Sequence, residues 1–124
     1  MNALTSAPDL TRVAPRSPWA RLGDFAVAAR VLDKCRAEIA GTNGDFHFNC
    51  PIDRLFFAVA GIRAIDFRQI AAHGLDDNEV AAWLNQQSPA GAARRALWNG
   101  LTLIYPGFLL MRMDDWWHAH RARR

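Results

Sequence analysis

Asp24-Phe25-Ala26-Val27-Ala28-Ala29-Arg30-Val31-Leu32-Asp33-Lys34-Cys35-Arg36-Ala37-Glu38-Ile39-Ala40-Gly41 is the stretch that decides the fold class. Phe25, Ala28, Leu32, Cys35 and Ile39 recur at intervals of three, four, three and four, which draws one apolar stripe along an α-helix. Asp24 is a residue type that caps such a helix, and Gly41 and Gly44 around Thr42-Asn43 suit the left-handed backbone that ends it. The expected helix runs from about 24 to 40. Arg30, Asp33 and Lys34 fall on its polar side, where Arg30 and Asp33, three apart, can pair on a solvated face.

Upstream, residues 1–23 carry Pro8, Pro15, Pro18 and Gly23 without a sustained period. They read as an extended arm lying over a helical domain of residues 24–124. Downstream, Asp45-Phe46-His47-Phe48 alternates and could form a short strand pair. A second helix begins at Pro51, since proline suits the first helical position, and ends before Gly61, burying Ile52, Leu55, Phe56 and Val59. A short third helix is expected between Asp66 and His73, closed by Gly74. Asp76, with Glu79 three residues on, forms a capping box for a fourth helix, and Leu75 is placed to staple onto Val80. Ser88-Pro89 should open a fifth helix through Leu97 and Trp98 that ends near Gly100. Leu101 to Tyr105 could be a strand or the tail of that helix, and Phe108 to His120 reads as the last helix. The fold class is therefore mostly α, a compact bundle of five or six short helices with an extended N-terminal arm and at most a short strand pair.

The chain has 124 residues, enough for one core. Apolar residues make up 51% and charged residues 22%, outside the regime of disorder. The longest apolar stretch, Leu101 to Met113, is too short to span a bilayer, so no membrane contact is expected. The start lacks a basic segment followed by an apolar core, which points to a cytoplasmic address, where Cys35 and Cys50 should be reduced thiols. The net charge is +3, with the arginines spread from Arg12 to Arg124 rather than gathered in a stripe, which argues against nucleic acid as a partner.

Polar chemistry concentrates in Phe46-His47-Phe48-Asn49-Cys50-Pro51-Ile52-Asp53. With Pro51 at the first helical position, Cys50 becomes the N-cap and its sulfur sits at the positive end of the helix dipole, a setting that suits a thiolate. His47 could serve as its base only if the chain turns back, because in a straight strand the two lie about 10 Å apart. The plain structural alternative is a small buried cysteine beside a turn. No metal or other cofactor is expected. His47, Cys50 and Cys35, with Asp33 or His118 to complete them, lack the paired close spacing of a zinc site.

Arg16-Ser17-Pro18, Leu22-Gly23, Arg30, Leu32-Asp33-Lys34 and the His47-to-Asp53 block together resemble a small bacterial family described as a domain of unknown function. Its pattern reads Arg-Ser-Pro, Leu-Gly-Gly, an Asp-Lys-bearing helix, then Gly-Glu-Tyr-His-Phe-Asn-Cys-Pro-Leu-Asp. The resemblance covers residues 8–84 and implies a helical fold, bringing no activity with it. The chain departs from the pattern at Asp24, where a second glycine is expected, and at Phe46, where tyrosine is.

Two functions fit these residues. The first is a binding or interaction module in which Arg16, Arg30, Asp33, Lys34, His47, Asn49, Cys50 and Asp53 frame a site for a small anion at the helix start. The second is a small enzyme with Cys50 as nucleophile or redox thiol and His47 beside it. Neither a triad, nor a phosphate loop, nor paired catalytic carboxylates accompany them, which places the enzyme second. Trp116 and Trp117 point about 100° apart on a helix, so burying both in one small core is difficult. With Phe108 and Leu110 they suggest a homodimer through the last helix.

Overall fold

The computed structural model of the chain describes residues 7–122, without the side chains of Pro106 and of residues 118–122. His118, His120, Arg121, Arg123 and Arg124 thus lie outside the described side chains. The fold is mostly helical. A two-stranded antiparallel hairpin, β1 (Arg21–Leu22) and β2 (Phe25–Ala26), precedes α1 (Ala28–Ala40), α2 (Pro51–Ala60), α3 (Ala64–Ala72), α4 (Asp77–Gln87), α5 (Ala92–Ile104) and α6 (Pro106–Ala122). No helix among the described residues is long and apolar enough to cross a membrane.

The central helix begins four residues later than the sequence suggests. Asp24 does not cap it but pairs with Arg95 at 2.7 Å, while Asn99 of α5 clamps the hairpin by donating to the Asp24 carbonyl and accepting from the Ala26 N–H. Trp98 Nε1 donates to the Ala26 carbonyl at 2.9 Å. These contacts from a distant helix hold Phe25 and Ala26 in extended backbone, and the turn to helix falls on Val27 at φ 74°. That angle strains a β-branched side chain by about 1–3 kcal/mol and is held by the packing around it. Gly23, at φ 60°, makes the hairpin turn where an added Cβ would stand 2.6 Å from Asn85 Oδ1.

Residues 45–48 form no strand. Phe46 closes a turn on the Asn43 carbonyl and packs with Leu10 and Ala37, so the short strand pair is the hairpin at 21–26 instead. The capping box of α4 is present in both directions, Asp76 accepting from the Glu79 N–H and Glu79 from the Asp76 N–H. The C-cap of α2 is Gly61 at φ 70°, packed so closely on Pro89 that a Cβ would lie 2.7 Å from its ring. Ser88 does not open α5; it terminates α4, and Gly91 caps a helix that runs through Leu101 to Ile104, so that segment is a helical tail.

Every residue from Ala28 to Ala37 is buried, which makes α1 the axis of the core rather than a helix with one wet face. Around it stand Phe56 and Phe57 of α2, Phe67 of α3, Leu84 of α4, Trp98 of α5 and Phe108 of α6. Phe56 meets Phe25 edge-to-face at 5.9 Å between centroids, and Trp98 meets Phe108 at 6.3 Å.

Candidate functional site

The charged residues Arg30, Asp33, Lys34 and Arg36 of the central helix are buried with it, and each finds an opposite charge on a different segment. Arg30 is not paired with Asp33, as spacing suggests. It grips Asp115 of α6 with both terminal nitrogens, one at 2.9 Å, and its guanidinium lies 5.8 Å from the centre of the Phe46 ring. Asp33 instead receives three nitrogens of Arg16, including the backbone N–H at 2.8 Å. Lys34 donates to Asp53 of α2 at 2.7 Å. Arg36 donates to Asp77 of α4 at 2.7 Å, and Arg16 reaches the same carboxylate. Glu38 extends the series to Arg68 of α3. One helix is thus keyed by charge to the N-terminal segment and to α2, α3, α4 and α6.

The expected solvated face of α1 is therefore an interior one: Arg30, Asp33, Lys34 and Arg36 are each at most 9% exposed. Removing a charge from water is unfavourable unless a partner and further hydrogen bonds meet it, and here four cations meet four carboxylates. Burial works against the Asp77 carboxylate, yet hydrogen bonds from Arg36 and Arg16 outweigh it and hold its pKa below the ordinary value. The Nε atoms of Arg30 and Arg36 are buried without a partner among the described residues.

The His47-to-Asp53 turn sits at one of these keys. Asn49 adopts φ 63°, which turns its backbone N–H onto Asp53 Oδ2 at 2.9 Å, while Arg54 Nε donates to its carbonyl. Cys50 is the N-cap residue of α2 but makes no side-chain cap bond. Its sulfur lies 3.4 Å from Lys34 Nζ. Lys34, Asn49, Cys50 and Asp53 are thus brought together. His47 is exposed and makes no hydrogen bond among the described residues, to Cys50 or otherwise. Arg16, on the N-terminal segment, is held by Asp33, and Arg30, one turn before Lys34 on α1, by Asp115. Asp77 and Asp115, which complete the charge arrangement, carry no local sequence signal, since their partners stand 41 to 85 residues away.

Two surface grooves lie elsewhere. One of about 460 Å³ is lined by Arg21, Asp24, Arg95, Asn99 and Leu103, and one of about 350 Å³ by Ala14, Arg112, Met113, Asp115 and Trp116.

Both cysteines are free thiols, in different settings. Burial pushes the Cys35 thiol up to about 12. Brief alkylation of the native protein with iodoacetamide should label Cys50, which is partly open, and leave Cys35 untouched until denaturant is added. Peptide mass spectrometry reads the outcome, and equal labelling of the two would contradict this assignment.

The arrangement defines a small helical domain organised by a buried layer of ion pairs around a central helix, with a cysteine-bearing turn at one edge. The chain belongs to the family described as Domain of unknown function (DUF5069), which it matches over residues 12–103. The match reaches past the Leu84 limit of the resemblance and takes in α5 as far as Leu103. No curated protein matches the chain.

Proposed function

We propose that this protein is an interaction module that pairs with a second copy of itself through α6. The observation that carries the proposal is the outer face of that helix, where Leu109, Leu110, Met113, Trp116 and Trp117 are between 51% and 63% exposed. Their spacing of three and four places them on one stripe, and Ile104 and Tyr105, just before the helix, are exposed as well. Large side chains so exposed offer on the order of 100 Å² each, which approaches the roughly 800 Å² per partner of a standard interface. Phe108 does not contribute, because it is buried against Trp98 and Tyr105. A twofold axis beside Met113 would set the stripe against itself, the arrangement that homo-oligomers most often adopt.

The His47-to-Asp53 turn is the second surface of the module. A small anion there would meet the open amides at the start of α2, but Arg16, Arg30 and Lys34 already hold carboxylates. An anion would have to compete with Asp53 for Lys34, so the apolar face is the stronger basis for function.

Light scattering across a dilution series tests the pairing. The full chain should be a dimer that dissociates on dilution. Met113→Glu and Leu110→Glu, which place a charge in the middle of the stripe, should be monomers at every concentration with unchanged far-ultraviolet circular dichroism. A full chain that is monomeric throughout would overturn the proposal. Point variants are preferable to deleting α6, because deletion would remove Asp115 and leave Arg30 buried without its carboxylate.

A further inference from the structure

Lys34 and Cys50 meet from opposite sides of the α1–α2 junction, and their chemistry is complementary. The Lys34 nitrogen stands 3.4 Å from Cys50 Sγ and 2.7 Å from Asp53 Oδ1, and its side chain is 4% exposed. Cys50 is half-buried, so a small oxidant can reach the sulfur while the amine is held against it from the protein side. We propose that Cys50 and Lys34 form a reversible sulfur–nitrogen bond, a sulfenamide, when the protein meets hydrogen peroxide.

The first step is ordinary thiol oxidation. The sulfur attacks one peroxide oxygen, the O–O bond breaks, and Cys50 becomes a sulfenic acid with release of water. In the second step Lys34 passes one ammonium proton to Asp53, and the neutral nitrogen attacks the sulfenyl sulfur. The S–O bond breaks and the hydroxyl leaves as water with a second proton from nitrogen. One thiol, one amine and one peroxide thus give one sulfenamide and two waters, with sulfur oxidised and peroxide reduced.

Asp53 is what suits this site to the step. It is 1% exposed and already hydrogen-bonded to the lysine nitrogen, so it stands ready as the proton acceptor. Its protonation removes the negative charge as the lysine loses its positive one. No lone charge is left in the interior, the outcome that makes breaking a buried ion pair unfavourable. The new bond would tie α1 to the start of α2 without disturbing the Asn49 N–H that the other Asp53 oxygen accepts. Cys35, wholly buried, is an internal control within the same chain.

The test treats the full-length protein with hydrogen peroxide and measures intact mass without reductant. The expected product has lost two hydrogens, yields a cross-linked peptide joining Lys34 to Cys50, resists tryptic cleavage after Lys34, and reverts with dithiothreitol. Cys50→Ser should show no such loss. Lys34→Arg, which keeps the charge, should stop at a Cys50 sulfenic acid that dimedone traps. A wild-type protein whose Cys50 becomes sulfenic or sulfinic acid with Lys34 free, pairs with a second chain as a disulfide, or stays unmodified overturns the proposal. Peptide mapping of the wild type decides the matter even if the Lys34 variant fails to fold. Self-association through α6 can fail without touching this result.

Discussion

Asp115→Ala will destabilise the fold by about 3–5 kcal/mol, the effect of removing one partner from a buried ion pair and stranding the other. Arg30 is 5% exposed and would keep, beside the face of the Phe46 ring, a single 3.5 Å hydrogen bond to the Arg16 carbonyl. For a domain of this size the midpoint of thermal unfolding should fall by roughly 10 °C or more. Arg112→Ala, on the exposed side of the same helix, should stay within about 0.5 kcal/mol of wild type. The double variant Arg30→Met/Asp115→Leu should regain much of the loss, because removing both charges also removes their desolvation penalty. Urea denaturation of the four proteins checks the set. An Asp115→Ala protein within 1 kcal/mol of wild type, as an order of magnitude, would mean that Arg30 reaches water.

Asp53→Ala should be at least as severe, again about 3–5 kcal/mol, because the carboxylate has two tasks. One oxygen neutralises Lys34, and the other accepts the Asn49 N–H that closes the turn before α2. Asp53→Asn separates the two. Its amide oxygen can keep the bond to Asn49 while the charge pairing with Lys34 is lost, so its deficit should lie between wild type and alanine. Hydrogen exchange reports the turn directly: the Asn49 amide should lose protection in Asp53→Ala and keep part of it in Asp53→Asn. Equal protection in all three proteins would show that the turn does not depend on this carboxylate.

Where the chain's signals are local, sequence and structure agree. The Asp76 and Glu79 capping box of α4 needs residues three apart and nothing else. The start of α2 at Cys50-Pro51 and the stop at Gly61 are likewise decided within one turn, by the fixed φ of proline and the missing Cβ of glycine. Cys50 as N-cap is legible for the same reason. The contact between Cys50 and Lys34 was legible only as a direction, the helix of Lys34 being expected to face the turn. His47 is close to Cys50 in sequence, yet in the fold it is exposed to solvent.

The start of α1 and the state of its charges follow different rules. Phe25 and Ala26 fit a helical stripe, but Asn99 and Trp98, more than 70 residues on, offer their backbone better hydrogen bonds in a hairpin. Arg30, Asp33, Lys34 and Arg36 have the spacing of a solvated face, and that spacing is silent about what packs on it. By itself the sequence determined the helical class, the main helix stops and the position of the cysteine at a helix start, because caps, prolines and glycines act over three or four residues. Only the tertiary structure decided that the charged side of α1 is interior, since a charge is buried wherever its opposite can be delivered, and Asp53, Asp77 and Asp115 arrive on helices that the chain brings to α1 from 19 to 85 residues away.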